Sequence, residues 1–153
     1  MNERDFLNAV LQCVRMFSSA VSTGAQWEVA AQVFISMKLM EGYGVMGREI
    51  KYPNSNKKAV DLAFQYNQVN YAVEIKVESA NEAGKFAGVS LKSALAEDSE
   101  KLKTFNLPGA VKWVVCVAYS SKSKTKLRTL HTQGKFTSID EEGSFLAGIL
   151  RVN

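Results

Sequence analysis

The stretch AVDLAFQYNQVNYAVEIKVES, residues 59–79, decides how the rest of the chain reads. Two runs with the alternation of half-buried strands, Ala59–Tyr66 and Tyr71–Ser79, flank the turn residues Asn67, Gln68, Val69 and Asn70. Runs this close together predict an antiparallel hairpin. Pairing Tyr66 with Tyr71 sets Asp61 opposite Lys76, with Glu74 as its diagonal neighbour. Side chains alternate faces with period two, so on this register Asp61, Glu74 and Lys76 share one face. Val60, Leu62 and Phe64 then join Val73, Ile75 and Val77 on the opposite, core face. A slip of one residue would send Asp61 to the wrong side.

Outward from the hairpin, the pattern is a mixture of helices and strands. Glu3 to Val21 reads as one amphipathic helix, with Phe6, Val10, Val14 and Phe17 at helical spacing. Thr23 with Gln26 has the form of a capping box and predicts a second helix from about Gly24 to Met40, stopped by Gly42–Gly44. A first strand, Val45–Tyr52, is separated from the hairpin by the turn-rich PNSNKK. After a loop at Asn81–Gly88, a third helix runs from about Ser90 to Phe105 and ends at Asn106-Leu107-Pro108-Gly109. Val111–Ser120 is apolar almost throughout and reads as a strand buried on both faces. Beyond Ser121 the pattern weakens to a short helix near Lys124–Leu130, a strand near Lys135–Ile139, and a last ten residues that pack as helix or strand. The order α, α, β, β, β, α, β predicts an α/β sandwich around a mixed sheet.

Length and composition agree with one domain. At 153 residues and 46% hydrophobic, the chain can build a single real core, with little left for a second. Trp113–Tyr119, the longest apolar run, is too short to span a bilayer, and MNERDF lacks the basic-then-apolar layout of a secretory signal. Cys13 and Cys116, in apolar surroundings far apart, read as buried free thiols. The expected location is the cytoplasm, with no membrane association. The net charge of +4 is unevenly spread: Lys101 to Ile139 holds eight Lys/Arg and no acid, so the remainder is net negative by four. Its densest part carries Lys122, Lys124, Lys126 and Arg128, a candidate phosphate-contacting surface.

The polar face of the hairpin carries the candidate chemistry. Two carboxylates placed as closely as Asp61 and Glu74 repel each other unless a cation lies between them. A hard divalent ion takes one or two carboxylates plus water and substrate phosphate, and the carbonyl of Ile75 is a further candidate ligand. Lys76 beside such an ion would assist the attacking water or stabilise charge building on the phosphorane. The rival Glu49-x-Lys51 has no Asp on a preceding strand. On the third helix, Asp98 falls within the apolar stripe of Leu91, Leu95, Leu102 and Phe105, with Lys101 at its edge. An inward-facing acid needs a partner, so both residues are possible additions to the site.

From Gln26 to Tyr119 the chain resembles the PD-(D/E)xK, restriction-endonuclease-like phosphodiesterase superfamily. The likeness lies in a helix bearing a Glu, a reversal into a first strand (GYGVMGREI), the Asp strand, the Glu-x-Lys strand, a helix and a buried strand. Val60 stands where many members have Pro. The resemblance implies an αβββαβ core, here 26–120, with residues 1–22 as an additional N-terminal helix. It implies Mg²⁺ or Mn²⁺ held by Asp61 and Glu74, Lys76 assisting water, and Glu28 as the helical Glu that orients metal-bound water or a ligand. The function expected is hydrolysis of DNA, with a homodimer as the assembly to consider. The alternative is a silent module of the same fold, of immunity or anti-defence type, that binds a protein.

Overall fold

The computed structural model describes residues 1–52 and 57–153, so most of the PNSNKK turn (53–56) lies outside the described residues. Six strands form one mixed sheet in the order β1-β2-β3-β6-β8-β7. They are β1 (Arg48–Lys51), β2 (Ala59–Tyr66), β3 (Val69–Val77), β6 (Val111–Ala118), β7 (Ser138–Glu142) and β8 (Phe145–Val152). A separate two-stranded ribbon joins β4 (Lys85–Phe86) to β5 (Val89–Ser90). Only β3 and β6 run parallel, joined by helix α4 (Leu91–Thr104). The expected α/β sandwich with a mixed central sheet is present.

Helices cover both faces. On one, α1 (Glu3–Leu11), α2 (Val14–Ser22) and α3 (Glu28–Tyr43) contribute Phe6, Phe17 and Ile35, with Trp27 just before α3, to a cluster with Phe64, Val73, Ile75 and Trp113. On the other, α4 and α5 (Ser121–Thr132) bury Leu95, Leu102 and Leu127 against Ala72, Val114 and Cys116. Strand β6, between β3 and β8, feeds both clusters, which explains its unbroken apolar run. Helix α5 comes close to β8 because residue 148 is glycine: a Cβ there would lie 2.8 Å from Leu127 Cδ2 and 2.9 Å from Phe136 Cδ1. Both cysteines are buried free thiols. No helix among the described residues is long and apolar enough to cross a membrane.

Several local expectations are corrected. The first helix is two: the Cys13 amide donates to the Val10 carbonyl, a tighter turn than α-helix, and the chain bends between α1 and α2. The Thr23/Gln26 capping box does not form. Thr23 closes α2 instead, its hydroxyl donating to the Ala20 carbonyl. Helix α3 starts at Glu28 without a side-chain cap, because the buried indole of Trp27 fixes its entry by donating to the Glu78 carbonyl at 2.8 Å. The weakly patterned C-terminal third resolves into α5 and the hairpin β7–β8, so the last residues form a strand.

Candidate functional site

The β2–β3 hairpin forms, but with a shorter turn than expected. Tyr66 pairs with Val69, and Asn67 and Gln68 alone make the reversal with φ of 48° and 65°, the signature of a type I′ turn. This moves the register by two residues, so the parity argument survives. The Leu62–Val73 pair sets Asp61 level with Glu74 rather than with Lys76. There the ladder ends, and the Asp61 carboxylate accepts from the Ile75 amide at 2.8 Å in place of a strand partner.

Val60 departs from the expected core face. Arg48 pairs with Ala63 while Ile50 pairs with Val60, so β2 spends one more residue than β1 over this interval. That bulge brings Val60 into the cluster under α4, away from Leu62 and Phe64. Asp61 sits within it. A bulge re-aims a side chain and leaves the ladder open, and here it opens toward Glu74 and Lys76.

Four carboxylates and two lysines gather around this point from four elements. Glu74 of β3 is fully buried, and Lys101 of α4 reaches its Oε2 at 2.6 Å. The other oxygen, Oε1, is buried and has no hydrogen-bond partner. Lys76 lies 3.1 Å from Glu28 at the first turn of α3 and 3.6 Å from Asp98 of α4. Asp98, 3% exposed, therefore has its partner, although its Oδ2 lacks a hydrogen bond. Asp61, Lys76, Asp98 and Lys101 line a common cleft of about 710 Å³, with Lys57, Lys58, Glu97 and Glu100 also in its wall.

The electrostatics follow from burial. Desolvation, then the charge of Asp61, pushes the Glu74 carboxyl up to about 8 against the pull of Lys101. Burial likewise raises Asp98 to about 6, and raises Glu28 against the opposing pull of Lys76. Lys76 behaves otherwise. Burial disfavours its charge, but Glu28 and Asp98 outweigh that and hold the ammonium above its ordinary range. It is a fixed cation at any working pH.

A hard divalent ion is compatible with this donor set. Asp61 and Glu74 are level on adjacent strands, and Glu74 Oε1 is buried without a hydrogen-bond partner. Among the described residues no three His, Cys, Asp or Glu side chains form a metal cage by themselves. An ion here would be completed by water, phosphate or the Ile75 carbonyl, as Mg²⁺ usually is.

The basic surface fares differently from its sequence reading. Lys124 and Arg128 both pair with Glu141 of β7, beyond the acid-free segment, with Lys124 at 2.9 Å. Lys122 and Lys126 remain exposed on α5. Three contributors escaped sequence reasoning. Tyr52 donates its hydroxyl to the Lys101 carbonyl at 3.0 Å and so seats that lysine. Glu78 is fully buried and accepts from the amides of Gly84, Tyr119 and Ser120 and the hydroxyls of Ser120 and Ser123. Trp27, through the Glu78 carbonyl, sets the start of α3 and hence Glu28. None carries a local signal, because each acts through a partner distant in sequence.

The fold and cleft thus define an α/β domain with a lysine-braced carboxylate cluster on a bulged hairpin. Comparison with models of known families, with curated proteins and with solved structures finds no match to this chain.

Proposed function

We propose that the protein is a metal-dependent nuclease of PD-(D/E)xK type acting on DNA. The observation that carries the reading is the buried Glu74 Oε1, without a hydrogen-bond partner and level with Asp61. Asp61 and Glu74 would hold Mg²⁺ or Mn²⁺, with the Ile75 carbonyl available on the same strand. When bound, the ion would polarise a phosphoryl oxygen and acidify a water.

The remaining roles belong to the chain. Lys76, a permanent cation, stabilises negative charge developing on the phosphorane and does not take the water proton. Glu28 and Asp98 hold the ammonium from two helices and fix where it points. Lys101 balances the charge of Glu74 across the cleft. Phosphate contacts are assigned to Lys122 and Lys126, which are exposed on α5, rather than to Lys124 and Arg128, which are paired with Glu141.

Supercoiled, single-stranded and branched DNA assayed with Mg²⁺ and with Mn²⁺ tests the reading. Cleavage should need the metal and vanish in Asp61→Asn and Glu74→Gln, and Lys76→Met should lose roughly 10²–10³ in rate. Equal rates in all three variants would assign the activity to something else. One observation favours a second reading, the silent protein-binding module: Lys101 already sits where a cation would. Calorimetry separates the two, since a metal site should gain affinity in Lys101→Met and a silent module should bind no divalent ion in either form.

A further inference from the structure

We infer that a second site, the methionine-rich groove between α3 and the β1 edge of the sheet, docks a cationic amphipathic helix of a protein partner. The groove encloses about 590 Å³, and its apolar wall is the outward stripe Val29, Val33, Met37 and Met40 of α3, with Met46 facing it. These side chains are exposed by 43% to 70%, although α3 has already buried Ala31, Ile35 and Leu39 on its inner side. A helix apolar on both sides retains an unmet face, and a contiguous patch of this kind marks an interaction site. Methionine suits it, because an unbranched thioether repacks around incoming side chains.

Charge selects the occupant. The groove lining includes three carboxylates, Glu41, Glu49 and Asp61, and no lysine or arginine. Lys38 takes up Glu41 from outside the lining and Asp61 belongs to the carboxylate cluster, leaving Glu49 as the acidic end. With no Lys or Arg in its lining, the groove offers a nucleic acid no phosphate contact. It also opposes a second copy docking by the same face, where acid would meet acid across the two-fold. Strand addition is disfavoured because β1 is four residues long and charged at Arg48, Glu49 and Lys51. What remains is a helix laying apolar side chains along the stripe and Lys or Arg toward Glu49.

The chain carries its own reporters. Of five methionines, Met37, Met40 and Met46 lie in the groove, whereas Met1 and Met16 pack against the core under α1 and α2. The experiment titrates full-length protein, ¹³C-labelled at the methionine methyls, with a synthetic amphipathic helix of leucines and lysines, using a scrambled peptide as control. The protein is itself net cationic, so non-specific attraction works against binding. Saturable shifts confined to Met37, Met40 and Met46, absent with the scrambled peptide and lost in folded Val33→Asp, are expected. No shift, or equal shifts at Met1 and Met16, overturns the proposal. So do concentration-dependent shifts of the three groove methyls without peptide, which would make the occupant a second copy. Cleavage is not part of the readout, so this result stands apart from the nuclease assay.

Discussion

Glu74 is the residue at which burial and chemistry conflict most directly. Its carboxyl is held at about 8 against an ordinary 4.5, so between those values the folded chain keeps a proton that the unfolded chain releases. The stability this group contributes is full below its unfolded value and lost as pH rises through about 8. Asp98, raised from 3.8 to about 6, works in the same direction over a lower window. Glu78 works in the opposite direction. Its hydrogen bonds with Ser120 and Ser123 outweigh burial and hold it below its ordinary value, so its contribution is present at neutral pH and lost on acidification. In chelator, the thermal midpoint should therefore fall between about pH 5 and about pH 8, and Glu74→Gln should flatten that decline. A wild-type midpoint that does not move over this interval would contradict the account. Asp61→Ala should have a mixed effect. It relieves repulsion on Glu74 but orphans the Ile75 amide, so apo stability should change by no more than about 1–2 kcal/mol in chemical denaturation.

At the scale of elements, the hairpin depends on a turn that its sequence only half favours. Asn67 tolerates a left-handed backbone, but Gln68 at φ 65° has no such excuse, and a type I′ turn prefers glycine there. Gln68→Gly should stabilise the protein by about 1 kcal/mol, read as a higher denaturation midpoint at unchanged slope. The far end of β3 depends on Glu78, which ties the strand to the start of α5, to Gly84 in the following loop and, through its carbonyl, to Trp27. Glu78→Ala leaves several buried donors unpaired and should cost on the order of 4 kcal/mol in urea unfolding. A loss below about 1 kcal/mol would mean that water replaces the carboxylate freely.

Across the whole molecule, charge is organised by tertiary pairing rather than by runs along the chain. The densest basic stretch spends Lys124 and Arg128 on Glu141 and leaves Lys122 and Lys126 exposed on α5. If DNA binds along α5, replacing Lys122 and Lys126 with Gln should flatten the log–log salt dependence of binding by about 0.9 for each phosphate no longer neutralised. Lys124→Gln should leave the slope nearly unchanged. Equal slopes for the two variants would move the DNA path elsewhere.

Periodicity along the sequence determined the hairpin, the buried strand β6, the inward face of α4 with Asp98 on it, and the shared side of Asp61, Glu74 and Lys76. These depend on alternation and helical spacing, which are local and survive a register shift of two. The bend at Cys13, the uncapped start of α3 and the bulge that turns Val60 away were decided only in three dimensions. In each case a contact between distant residues outweighs the local preference: Trp27 with Glu78, or β1 against β2. The pairing of Lys101 with Glu74 and of Lys124 and Arg128 with Glu141 belongs to the same class. A charge far away in sequence chooses its partner once the sheet and its two helical layers have closed.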